Sequence, residues 1–328
     1  MAIGDNYPVL MGFDKAAPDG VATLDASGNV PFEQLGNVVR PNLLDNWYFA
    51  NPVNQRGQTE YAGAGYTIDR WRTTGAGMVV LVEDDGITVK NTGTAVGYFS
   101  QVKEPMEVGG YAASLNVLSV SGAVDAILRN HDTWDYQGTL TISGVGVSRS
   151  VLTVKDAWKS YRQWFEIRLA AGASVKLKAA KLELGSTQTL AHQETVVVDG
   201  EEKLVWVLNE IPDYGEELRK CQRYLYPLPS KNNDFSFLVG MTGSSQNTYA
   251  TKRILMRKDG NPAFYPSTPK FVAKFVNQST MFEHAQMMQD GSYIKFTLGS
   301  PGSTIPTQSC CSIYVENDGV DYFINKEL

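Results

Sequence analysis

The sequence predicts an all-β protein with a central jelly-roll β-sandwich, one linking helix and a C-terminal β-sandwich tip domain. Three observations carry this expectation. Short apolar runs separated by turn residues recur over 41–190 and again over 229–328. Within a run the side chains alternate: over 164–170, Phe165, Ile167 and Leu169 fall on one face and Trp164, Glu166 and Arg168 on the other. That period of two describes a half-buried strand. Only the stretch around 211–226 places acids early, bases late and prolines at its flanks, as a helix requires. The chain has 328 residues, 43% of them hydrophobic, which exceeds one typical domain and suffices for more than one core.

Residues 1–40 are rich in Gly, Pro, Asp and Asn and show no sustained period. They read as an arm or linker that becomes ordered against identical copies or another protein, with a turn at 25–30. The central region, 41–190, holds apolar runs at 78–82, 86–90, 98–102, 113–120, 123–129, 139–143, 149–154 and 164–170. Asp85-Gly86 between the first two signals a hairpin. In 174–184 the alternation changes phase, from Val175, Leu177 and Ala179 to Ala180, Leu182 and Leu184, which predicts a β-bulge at Ala179–Ala180. Many short strands at this spacing mean a sandwich, here a jelly roll of the carbohydrate-binding-module type. A hairpin around Asp199-Gly200 and the linking helix fill 191–228, and 229–328 returns to strands. In the helix, Pro212 suits the first turn, Glu216 and Lys220 form an i,i+4 pair, and Tyr214, Leu218, Cys221 and Leu225 form the packing stripe. Pro227 and Pro229 end it.

Composition excludes several classes of function. The net charge is −6 and no run of Lys and Arg exists, so no nucleic-acid partner is expected. No apolar run approaches the ~20 residues that cross a bilayer, and residues 1–10 do not read as a signal peptide. His131, His192 and His284 are scattered, the glycines at 63–65 and 144–146 make only G-x-G fragments, and Glu83, Asp84 and Asp85 sit in a turn. No zinc site or phosphate cradle emerges, and a glycosidase acid pair, defined by separation in space, is not readable from sequence; neither an enzyme nor a cofactor is expected. A structural calcium could be held at Asp45, although no calcium-loop signature accompanies it. Cys221, Cys310 and Cys311 make no disulfide framework and read as reduced thiols.

The best ligand candidate joins two strands at 129–138. Trp134 and Tyr136 offer flat apolar faces for sugar C–H surfaces, and His131, Asp132 and Asp135 can bond hydroxyls. The same pattern also fits a Trp134 that plugs the sandwich end while the acids solvate a turn. In 66–72, Arg70, Trp71 and Arg72 could stack on a ligand and donate to it; Trp47 and Phe49 read as inward. Polar loops at 242–247 and 299–309, with Gln246 and Asn247, suit a recognition tip.

Four phrases, "PNLLDNWYFANPVNQRG" (41–57), "YTIDRWR" (66–72), "AKLELGS" (180–186) and "PDYGEELRKCQRYLYPL" (212–228), occur in this order and spacing. Together with the linker-like "GVATLDASGNVPFEQLGN" (20–37), they give the chain a pattern that resembles phage tail-fibre-like proteins of gut Firmicutes phages and prophages. The resemblance covers roughly residues 20–228 and implies that 66–72 is part of the sandwich scaffold, with Trp71 as core and Asp69 paired to an arginine. It implies a homotrimeric virion fibre or adhesin subunit, found in the virion. The arm would attach to capsid, collar or tail proteins, with Tyr7, Pro8, Val9, Leu10 and Phe13 as its anchoring contacts. The distal parts would bind a host surface glycan or protein. A monomeric carbohydrate-binding protein without an assembly role is the alternative; it leaves the arm and the "CQRYLYP" junction unexplained.

Overall fold

The computed structural model describes residues 39–198 and 200–228, together with Leu24, Gly28, Pro262 and the strands between 238 and 325. The expected anchoring contacts Tyr7, Pro8, Val9, Leu10 and Phe13, and most of the two polar tip loops, including Gln246, lie outside the described residues.

Strands are numbered along the chain. One six-stranded sheet runs β1 (Glu60–Ala62), β4 (Met78–Glu83), β5 (Gly86–Asn91), β12 (Ser174–Leu184), β7 (Gly109–Ser121) and β10 (Gly146–Val154). The second runs β2 (Gly65–Tyr66), β3 (Arg72–Thr74), β6 (Gly97–Lys103), β11 (Gln163–Leu169), β8 (Val124–Asn130) and β9 (Leu140–Ile142). From β5 onward nearly every connection crosses from one sheet to the other, which is the jelly-roll path. The inward faces meet in one core. Trp71 stacks on Phe99 with ring centroids 4.7 Å apart, and Phe49 meets Trp71 edge-on at 5.3 Å. Trp47, Phe49, Trp71 and Phe165 are all buried, as their alternation predicts.

Two local expectations are corrected. The β4–β5 loop is Asp84–Asp85, because Glu83 pairs with Gly86. Gly86 already belongs to the strand, and a Cβ there would lie 2.3 Å from the Leu177 carbonyl oxygen. Its glycine therefore serves a close approach of backbones, not a turn. The irregularity in β12 falls at 176–179, where the pairing with β7 slips, slightly before the predicted Ala179–Ala180. The stretch around Tyr48 inserts there: Phe49 N donates to Lys178 O at 2.8 Å and Ala180 N to Trp47 O at 3.0 Å. After the shift Ala180 and Leu182 are buried, but Leu184 is 56% exposed.

The β13 (Ala191–Val198)–β14 (Glu201–Leu208) hairpin forms as expected, with Gly200 at φ +81°. The helix α1 is shorter than the sequence pattern suggests, spanning Tyr214–Gln222. Its N-cap is Asp213, whose side chain accepts from Glu216 N at 2.9 Å, so Pro212 precedes the cap. Glu216 pairs with Arg219, and Lys220 with Glu217, in place of the predicted Glu216–Lys220 pair. Leu225 is not helical. It opens β15 (Leu225–Pro227), which pairs with β24 (Phe323–Asn325), and that ladder takes the backbone groups a longer helix would have used. β18 (Ala263–Tyr265) completes this three-stranded sheet. The remaining C-terminal strands form a seven-stranded sheet in the order β20 (Ser279–Phe282), β19 (Phe271–Lys274), β23 (Cys310–Val315), β16 (Leu238–Thr242), β17 (Asn247–Arg253), β22 (Tyr293–Gly299) and β21 (His284–Asp290).

A buried polar junction clamps α1 to the sandwich. Asn46, in the left-handed region at φ +51°, donates its backbone N–H to Glu217 Oε2 at 2.7 Å. Its side chain bonds the carbonyls of Val53 and Asp69. Arg70, also left-handed at φ +71°, donates to Asp45 Oδ2 at 3.1 Å and Val102 O at 2.9 Å. Its guanidinium lies 3.5 Å from the Tyr224 ring centroid. Lys103 approaches the same Asp45 oxygen at 3.5 Å. Burial pushes the Asp45 carboxyl up, but Lys103 and Arg70 outweigh it and hold the group below its ordinary value. Asp45, the residue weighed for calcium, has Arg70 and Lys103 as its partners here. Three of the four sequence phrases thus meet in one joint. In the fourth, buried Lys181 pairs with Glu210 at 2.9 Å and buried Glu183 accepts from Thr189 N and Oγ1, fixing the hairpin to β12.

Candidate functional site

Strand β8 ends in a loop whose shape is set by Asn130. Its buried Oδ1 accepts from Asp132 N at 2.8 Å and Thr133 N at 2.9 Å, an Asx turn. Asn130 N donates to Asp135 O and Trp134 N to Asn130 O, while Arg129 bridges to Tyr136. The turn forces Trp134 to φ +65°, a conformation that costs a tryptophan about 1 kcal/mol or more.

Trp134 does not plug the sandwich end: it is 65% exposed, and Tyr136 is 45% exposed. The Arg129 guanidinium sits 4.1 Å from the Trp134 ring centroid, and that of Arg168 lies 5.0 Å from Tyr136. His131 stacks on Trp164 at 5.5 Å and bonds Asp132 at 2.7 Å through Nδ1. Asp132 and Asp135 are on the exposed turn. Of the five residues singled out in the sequence, Trp134 and Tyr136 therefore cover the sheet face, His131 and Asp132 flank it, and Asp135 rides the outside of the loop.

The face they cover is the outer side of the second sheet. Strand registers set three rows across β6, β11 and β8: Val102–Trp164–Arg129, Ser100–Glu166–Ile127 and Tyr98–Arg168–Asp125. The last row continues to Thr141 on β9. Here a cleft of about 410 Å³ is lined by Val96, Tyr98, Asp125, Thr141 and Arg168, among others. Arg168 Nε and Nη2 donate to the two Asp125 oxygens at 2.6 and 2.7 Å, and this hydrogen bonding raises the guanidinium's pKa. The pair is part-exposed, so its remaining donors and lone pairs face the cleft. In the middle row Glu166 is buried against Arg129. Burial raises the Glu166 carboxyl above its ordinary value against the pull of Arg129.

Aromatic planes beside a fixed carboxylate–guanidinium fork can stack on a ring and bond its hydroxyls. Both Asp125 oxygens are held by Arg168, which fixes the carboxylate in place. Sequence reasoning singled out the loop and not Tyr98, Asp125, Trp164 and Arg168, which the structure places beside it. The one available signal was the second face of the 164–170 alternation. Among the described residues no three His, Cys, Asp or Glu side chains gather as metal ligands, and no helix is long and apolar enough to cross a membrane.

No family model matches the sequence, and no curated protein does. Among solved structures, TmCBM61 in complex with β-1,4-galactotriose is similar over 44% of this chain and 99% of its own, at a TM-score of 0.30 and 14% identity. The N-terminal CBM22-1–CBM22-2 tandem domain of Paenibacillus barcinonensis Xyn10C is similar over 88% of this chain and 96% of its own, at a TM-score of 0.28 and 9% identity.

Proposed function

We propose that this chain is a fibre or adhesin subunit that binds a bacterial surface glycan on the outer face of its second sheet. The observation that carries the binding reading is the exposed Trp134 and Tyr136 beside a cleft walled by Tyr98 and the Arg168–Asp125 pair. Exposed aromatic surface is expensive to leave uncovered unless it meets a partner. The virion role, with residues 1–40 as anchoring arm, 41–190 as sandwich, 191–228 as linker and 229–328 as distal domain, is supported by the sequence phrases. The reading is one of binding without turnover; Asp125 is engaged by Arg168 on both oxygens and Glu166 is buried.

Retention of the full chain on bacterial surface glycans tests this. Trp134→Ala and Tyr136→Ala each remove one stacking plane of about 1 kcal/mol and should weaken retention roughly fivefold. Unchanged affinity in both variants would sink the site. The alternative, a monomeric carbohydrate-binding protein, is favoured by the cleft being complete within one chain. Sedimentation separates the two: the fibre reading expects a particle of three 36.1 kDa chains, the alternative a single one.

A further inference from the structure

The arginines of the outer face differ in their partners. Arg168 is paired with Asp125 and Arg129 with Glu166. Arg72, on β3, has neither a hydrogen bond nor an ion pair among the described residues, and its Nε is buried without a partner. Its guanidinium is held between two rings, 5.4 Å from the Trp164 centroid and 5.7 Å from that of Tyr66. Arg56 also lies 5.5 Å from the Tyr66 ring centroid and pairs with Asp69. Arg72 is thus the guanidinium of this face left without a carboxylate, in a chain of net charge −6.

The aromatic walls fix the plane of that guanidinium and strip part of its water. With Nε buried, the Nη donors of its planar, permanently charged head are the ones that a carboxylate or phosphate can meet. Beside it, Ser100 faces Arg72 across the β3–β6 pair, and its Oγ is also buried without a partner. Glu166, next in that row, has one unpartnered oxygen, but its charge is balanced by Arg129 and Arg168. From β3 to β8, beneath Trp134, is three strand spacings, about 14 Å. A monosaccharide cannot reach both ends, whereas an oligosaccharide can.

We infer that the face reads an anionic oligosaccharide: sugar rings lie against Trp134 and Tyr136, and an acidic substituent, carboxylate or phosphate, docks on Arg72 between Tyr66 and Trp164. This rests on the glycan reading above and adds the charge of the ligand to it.

The test compares the full chain's affinity for matched glycan pairs, oligogalacturonate and its methyl ester among them, with poly(glycerol phosphate) as the phosphate arm. The acidic member should bind about tenfold tighter than its ester, and the advantage should shrink as salt rises. Arg72→Gln should bring the acid-to-ester ratio to about one, while Arg72→Lys, which keeps the charge without the planar head, should retain only part of it. Binding to poly(glycerol phosphate) above the uronate would assign the acid as phosphate. Equal affinity for acid and ester, or a ratio unmoved by Arg72→Gln, overturns the inference while leaving the glycan reading in place. If Arg72→Gln loses every ligand, the wild-type salt series decides, and a salt-independent acid affinity overturns it. Retention of no glycan at all removes the glycan reading, and this inference falls with it.

Discussion

At the scale of single residues, polar groups govern where this chain departs from a plain hydrophobic sandwich. Asp45 is the anion shared by Arg70 and Lys103, and removing it leaves two cations in a largely dry joint. Asp45→Asn should therefore destabilise the protein by about 3 kcal/mol, read as a shift in the urea midpoint. A shift within error would mean that water screens the joint. The sequence marked Trp71 as core and Asp69 as an arginine's partner, and both placements agree with the structure. It could not show that Asn46 and Glu217, 171 residues apart, share a hydrogen bond, because nothing local to either residue encodes the other. The sequence offers Arg72 as a stacking donor within 66–72, but its lack of a side-chain partner becomes visible only when Tyr66 and Trp164 are placed around it.

At the scale of elements, strand existence was legible and strand register was not. Each run expected between 78 and 170 is a strand, because alternation and turn residues act locally. The two corrections in the first sheet arise from neighbours. Gly86 lies against the Leu177 carbonyl, and β12 slips where 47–49 inserts. Gly86→Ala should push β5 from β12 and cost about 1–3 kcal/mol in thermal or urea unfolding. An unaltered midpoint would show that the pair separates freely. The helix was overextended because Arg223 to Tyr226 carries a helix-compatible pattern, while β24, which pairs with Leu225 and Tyr226, lies about a hundred residues further on. The outer-face rows illustrate the same limit. Trp164, Glu166 and Arg168 could be read as sharing one side of a strand, but the neighbours that turn them into a site, Tyr98 and Asp125, depend on β6 and β8 flanking β11.

At the scale of the whole molecule, acid stability should report the joint. Asp45 has a folded pKa below its ordinary 3.8. Its contribution is therefore complete above that value and is lost as pH falls through the lower, folded one. Unfolding midpoints followed from pH 6 downward should decline below about pH 4, and the decline should be shallower in Asp45→Asn. Parallel curves for the two proteins would place the acid sensitivity elsewhere. The clamp that makes this joint also has a mechanical consequence. The chain enters the sandwich beside Arg40, which bonds Leu184 and Thr189, and leaves it through α1, which Glu217 ties back to Asn46. Tension applied between the N-terminal segment and the distal strands is therefore borne across this short bridge, and the fourteen strands between entry and exit are spared the load while the bridge holds.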